Sequence, residues 1–167
     1  MPDSNDSATT EVRKLLTAAS EVLADAPVSW LITAGEEGEV NVRPMGGLRV
    51  VGPGRLKMLY LADARSRKSS DIRRAGRSTV VVQNGDDAFV SVAGFTALLE
   101  DASEVCKHWI GAYDRYFPTE QDRGNAVLIE IDVRRMDLWI RGVTPEPFGL
   151  RSMRLAQDAD GTWRVWH

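Results

Sequence analysis

LKMLYLADARSRKSSDIRRAGRSTVVVQNGDDAFVSVAGFTALLE, residues 56–100, decides the class of fold. Its opening run, LKMLYLA, is apolar and aromatic and reads as a strand. Residues 66–75 follow as a short helix, with Ser66 placed to cap its start and Gly76 to stop it. STVVVQN and AFVSVAGFTALLE are then two strands joined by the turn Gly85-Asp86-Asp87. A tight hairpin of this kind pairs its strands antiparallel.

The pattern extends in both directions. Upstream, VSWLITA and VNVR flank the turn GEEGE, and LRVV pairs back on LKMLYLA through Gly52-Pro53-Gly54. Before them, Val12, Leu15, Leu16, Ala19, Val22 and Leu23 recur at helical spacing from Thr10, until Pro27 ends the helix. Downstream, SEVCKHWIGAY sets Val105, Cys106, Trp109, Ile110 and Tyr113 on one helical face. AVLIEIDVRRMDLWI is a long strand or a bent strand pair, and RSMRLAQDADGTWRVW closes the chain as a hairpin turning at Asp160-Gly161. Strands outnumber helices and mostly pair with their neighbours in sequence. The expected fold is mainly β, an antiparallel barrel with peripheral helices. Residues 1–9 read as a disordered leader and residues 10–167 as a single domain, since no shift of composition marks a second one.

Composition excludes several classes of function. The chain has 167 residues, 43% of them hydrophobic, which suffices for a core without covalent staples. A single cysteine forms no internal disulfide, and no apolar run approaches the ~18 residues that span a bilayer. The polar, acidic start MPDSNDSATTEVRK lacks the features of a signal peptide, so a cytoplasmic protein is expected. Six basic residues lie between Arg65 and Arg77 against the single acid Asp71, in a chain whose net charge is −3. An isolated basic island in an acidic protein suits a small anion better than nucleic acid.

Residues for catalysis are sparse. His108 and Cys106 stand two apart on a helix and so point to different sides, which disfavours a metal site. Cys106, beside Trp109 and Ile110, reads as a buried structural cysteine. No zinc spacing, nucleophile elbow or phosphate loop occurs. Chemistry, where there is any, then belongs to a bound cofactor. The best candidate to hold one is the strand-to-helix junction at Ala62 and Asp63. There Ser66, Arg67 and Lys68 gather a hydroxyl, two cations and free N–H groups around one point, as phosphate-binding helix starts do. A solvated, arginine-rich helix start has the same local sequence.

The order helix, VSWLITA, VNVRPM, LKMLYLADARSRKS, VVVQN, VSVAGFTALLED, a helix ending YFP, and LIEIDVRRMDLW resembles the pyridoxamine 5′-phosphate oxidase-like family. It is most similar to the general-stress-protein branch, and the likeness runs from about Thr10 to Trp139. The resemblance implies an FMN-binding split barrel, working as a homodimer with flavin at the subunit interface. It implies that Ser66, Arg67 and Lys68 hold the FMN phosphate, and that Arg43 and Met45 pass along the flavin ring and ribityl chain. Trp139 matches an aromatic near the flavin, although a core tryptophan reads equally from the strand. A dimer also follows from the number of aromatics, Trp30, Tyr60, Phe89, Phe95, Trp109 and Trp139, that a small barrel must cover.

The chain also departs from the family. Ala62 stands where a threonine hydroxyl often precedes the phosphate residues. Gly46-Gly47 follows Arg43 where the true oxidases place a lysine, and Gly149-Leu150-Arg151 lacks the histidine of their substrate grip. Arg151 or Arg154 remains as an anion contact, but oxidation of pyridoxamine phosphate itself is not expected. Three functions stay open: an FMN-dependent oxidoreductase of unnamed substrate, a flavin-binding stress or carrier protein without turnover, and a barrel holding deazaflavin or haem.

Overall fold

The computed structural model describes residues 4–47, 49–51 and 56–166. Among the described residues nine strands carry the fold: β1 (Ser29–Ala34), β2 (Val40–Met45), β3 (Arg49–Val51), β4 (Lys57–Asp63), β5 (Arg77–Asn84), β6 (Ala88–Leu99), β7 (Ala126–Ile140), β8 (Met153–Gln157) and β9 (Trp163–Val165). Every described pairing is antiparallel. The path runs β2-β1-β5-β6-β7-β4-β3, with β8 on β7 and β9 on β8, and it does not close. Each expected hairpin is present, and the turn Gly52-Pro53-Gly54 lies outside the described residues.

β7 is the backbone of the molecule. Along one edge it pairs with β6 over nearly its whole length. Its other edge is divided: residues 126–132 pair with β4 and residues 135–138 with β8. The β6–β7 register shifts between Ala93 and Gly94, opposite the point where that edge changes partner. A β-bulge bends a strand and increases its twist, which lets one long strand serve both halves of a split sheet.

Alternation along the strands fixes the inside. Leu31, Tyr60, Val80, Val82, Val90, Val92, Ile129 and Leu138 enter one continuous core. Helix α1 (Ser4–Asp25) contributes Leu15, Ala19 and Leu23 to it, and begins at Ser4 rather than at the expected Thr10. Helix α2 (Arg67–Ala75) lies where the sequence puts it. Ser66 is its N-cap, and Gly76 ends it at φ 61°, a conformation glycine adopts without penalty.

The segment after β6 is the main correction. In place of one helix over 103–113 there is a short α3 (Ala102–Lys107), then a 3-10 turn at Gly111–Tyr113, then α4 (Glu120–Arg123). The common face expected of a longer helix is therefore absent. Val105 and Phe117 pack with Trp109 in a second, smaller core, while Cys106 is exposed. Cys106 is thus no core residue. Cys106→Ala should shift the melting temperature by no more than ~1–2 °C, the range of a neutral surface change. Differential scanning calorimetry checks this, together with rapid labelling of the native thiol.

Candidate functional site

α2 packs against β1 and β2 through one buried carboxylate. Asp71 Oδ2 accepts hydrogen bonds from Thr33 Oγ1 at 2.7 Å and Asn41 Nδ2 at 3.2 Å, and meets Arg43 Nη2 at 3.4 Å. Arg74 Nη2 lies 3.6 Å from the other oxygen. Burial alone would raise the Asp71 pKa, but the bonds from Thr33, Asn41 and Arg43 outweigh it and hold it below the usual carboxylate range. A depressed pKa adds stability above the range where an unfolded aspartate titrates, about pH 4. That stability is lost as pH falls through the lower folded value. Asp71→Asn should therefore cost about 2–3 kcal/mol at neutral pH, lowering the melting temperature by roughly 5–10 °C. The variant should also lose this share of the wild-type acid dependence, as melting curves between pH 3 and 7 will show.

The start of α2 is tightly built. Ser66 N–H donates to the Asp63 carbonyl at 3.0 Å, and Ser69 Oγ donates to the same carbonyl at 2.7 Å. Ser66 Oγ accepts from Ser69 N at 3.4 Å and lies 3.0 Å from Ser69 Oγ. This hydroxyl is thus engaged in capping the helix. The N–H groups of Arg67 and Lys68, in the first turn, have no intrahelical acceptor. Arg67 is exposed, whereas Lys68 is half-buried. Burial, together with the neighbouring Arg43 charge, lowers the Lys68 pKa, against a smaller opposing effect of Asp63. Among the described residues, Lys68 has no ion-pair partner.

Arg43 projects inward from β2, its side chain 18% exposed, and donates to Thr33 Oγ1 at 2.9 Å. The Arg43 charge acts on Lys68 in the first turn of α2, and both side chains are at least half withdrawn from water. Met45 lies at the end of β2 inside the core, and its carbonyl accepts from Ser29 Oγ at 3.2 Å. Ser29 Oγ lies 2.7 Å from Tyr60 Oη, so with the serine hydrogen on Met45 the phenol is the donor. Burial raises the Tyr60 pKa and the Ser29 bond only partly offsets it, which keeps the phenol protonated. Ala62 is buried in the core, and its backbone pairs with Val127 one residue before Asp63.

Trp139 is elsewhere. Ala126 pairs with Asp63 near the head of α2, whereas Trp139 lies thirteen residues further along β7, roughly 40 Å of strand contour. It is half-buried on the outer face opposite Phe89 and is absent from both cores. Ala62, Ser66, Arg67 and Lys68 thus follow one another through the β4–α2 junction and Arg43 reaches α2 at Asp71, whereas Met45 sits in the core beside Ser29 and Trp139 lies toward the far end of β7. Arg154 is held by Asp137 at 2.9 Å and Arg151 is exposed. Sequence reasoning passed over Thr33, Asn41 and Asp71. The one available signal was an acid inside the basic run.

The outer face of β1, β2 and β6 is unusually apolar. Trp30, Val40, Val42 and Phe95 are each about half exposed or more, and a hollow of about 320 Å³ opens between Val40, Phe95 and Arg134. Tyr60, by contrast, is fully buried, and Trp109 packs edge-on against Tyr113 and Phe117, so neither needs a partner to cover it.

The family model for "Pyridoxamine 5′-phosphate oxidase like" proteins matches residues 14–145, and the chain belongs to that family. Among curated proteins none matches. Among solved structures, a Clostridium acetobutylicum protein related to general stress protein 26 superposes with a TM-score of 0.71 at 14% identity, covering 86% of this chain and 94% of its own. A pyridoxamine 5′-phosphate oxidase-related, FMN-binding protein from Nostoc punctiforme gives 0.66 at 14% identity, covering 98% and 95%. An F420 reductase gives 0.54 at 17% identity, covering 70% and 94%. At these identities the likeness is one of fold. No described helix is long and apolar enough to cross a membrane.

Proposed function

We propose that the chain binds FMN, with the flavin phosphate against Lys68, Arg43 and the head of α2, and that it works as an oxidoreductase-like homodimer. The observation that carries this reading is Lys68: a half-buried ammonium under the charge of Arg43, in no ion pair among the described residues and only weakly favoured by Asp63, which Arg65 already holds. Arg43 already has Asp71 for a partner, so it is the ammonium of Lys68 that calls for an anion. A phosphate dianion at the free N–H groups of a helix start supplies it. The residues present therefore fit the phosphate of FMN.

FMN, when bound, would supply electron transfer that these side chains do not. Arg67 adds an exposed cation at the same helix start, and Asp71 keeps the site from carrying its full positive charge alone. The apolar outer face around Trp30, Val42 and Phe95 is the surface we assign to the second copy. Such a copy is also what would bring Trp139 near a flavin, since within one chain β7 carries it away from α2.

The test is a fluorescence titration with FMN and riboflavin, which differ by the phosphate alone. Two charge-assisted contacts give the wild-type chain a preference for FMN of about a hundredfold or more. Equal affinities would overturn the site. A deazaflavin identified by mass spectrometry in the purified protein would replace FMN as the ligand. Light scattering should give twice the chain mass, and a monomer with flavin still bound would overturn the dimer. Reduction of the bound flavin by a nicotinamide nucleotide, followed by reoxidation with an electron acceptor, separates an oxidoreductase from a carrier.

A further inference from the structure

One hydroxyl stands between Arg43 and its carboxylate. Thr33 is 2% exposed on the inward side of β1. Its Oγ1 gives its hydrogen to Asp71 Oδ2 at 2.7 Å and accepts Arg43 Nη1 at 2.9 Å. With the hydrogen committed to the carboxylate, a lone pair is left for the guanidinium. The direct Arg43–Asp71 contact is longer, 3.4 Å. Strand register does not impose this arrangement. Arg43 pairs with Leu31, and Thr33 pairs with Asn41, so Arg43 leans diagonally along the ladder to reach the hydroxyl. Asn41 donates to the same Asp71 oxygen from directly opposite Thr33.

We propose that Thr33 is a positioning residue that orients Arg43 for a phosphate-bearing ligand, a role that rests on the phosphate reading above. An arginine side chain free to change rotamer must be ordered when the anion arrives, and that ordering subtracts from affinity. Thr33 orders it beforehand from a site too buried for the ligand to touch. Were Thr33 needed only to tie α2 to β1 through Asp71, its loss would weaken the fold without changing discrimination between ligands that differ by a phosphate.

The experiment compares Thr33→Val, which keeps the branched shape, with Thr33→Ser, which keeps the hydroxyl. The readout is the ratio of FMN to riboflavin affinity, in the natural chain and in an Arg43→Ala background, on protein whose folding is verified by circular dichroism. Thr33→Val should lower the ratio roughly fivefold, the size of one hydrogen bond, and Thr33→Ser should retain it. In the Arg43→Ala background, Thr33→Val should leave the ratio unchanged, because its effect passes through Arg43. The proposal is overturned by an unchanged ratio in Thr33→Val, by a drop that persists without Arg43, or by Thr33→Ser behaving like Thr33→Val. A natural chain with no preference for FMN overturns the phosphate reading and this one together. A preference that Arg43→Ala abolishes and Thr33→Val leaves intact overturns this one alone.

Discussion

Lys68→Ala is expected to weaken FMN binding by roughly ten- to a hundredfold while changing riboflavin affinity by less than about twofold. The size follows from the charge-assisted contact, about 1.5–3 kcal/mol, at a position already partly removed from water. Arg67→Ala should do less, about three- to tenfold, because Arg67 is exposed and its charge is screened. Raising the ionic strength should then weaken the contact of Arg67 more than that of Lys68. The pH dependence has a definite sign. Burial and the Arg43 charge lower the Lys68 pKa, so FMN affinity should fall with rising pH before ordinary lysines lose their protons, and riboflavin affinity should not. A flavin-fluorescence titration across pH with both ligands measures all of this. Equal losses of the two flavins would mean that the substitution had damaged the fold rather than an anion site.

Gly94→Ala should prevent native folding. A Cβ at this position would stand 2.1 Å from the Asp132 carbonyl oxygen, 2.7 Å from its carbon and 3.0 Å from Val133 Cα. All three are backbone atoms of β7, and no rotamer change relieves them. The strands would have to separate at the bulge, in the ladder that joins the two halves of the sheet. A loss above about 4 kcal/mol is expected, a large part of the 5–15 kcal/mol that holds a domain together. Urea unfolding followed by far-ultraviolet circular dichroism would show a collapsed midpoint or no transition. Gly46→Ala is the matched control. It meets nothing within 4 Å and lies outside the left-handed region, so its midpoint should hardly move.

The contrast between these positions shows what the sequence discloses. The hairpins were legible because turn residues and alternation are local properties of the chain. The pairings of β1 with β5 and of β4 with β7 were not, since many antiparallel orders satisfy the same alternation. Periodicity over 103–113 suggested one helix because it counts apolar spacing and cannot see that the helix ends at Lys107, with His108 as its cap. That error placed Cys106 inside. At the site, Arg43 and Lys68 stood out as cations near a strand end and a helix start. Thr33 did not, because a threonine in a strand is the ordinary choice, and its importance comes from a carboxylate thirty-eight residues away. Asp71 was hidden for the opposite reason: an acid among arginines reads as part of a solvated surface, whereas here it is buried.

β7 also dictates when the molecule can fold. On its second side Lys57 pairs with Asp132, and β6 needs residues up to Ile140 to complete its ladder. Until residues 126–140 emerge during synthesis, β4 and β6 have no strand between them, and the apolar sides of both lie open. Chains of this kind are slow to fold, since distant segments must meet before their contacts stabilise anything. At about 5–20 residues per second, that interval lasts several seconds on the ribosome. A nascent chain stalled before Ala126 would therefore present its sheet edges to chaperones or to other unfinished copies, until β7 arrives to pair with both β4 and β6.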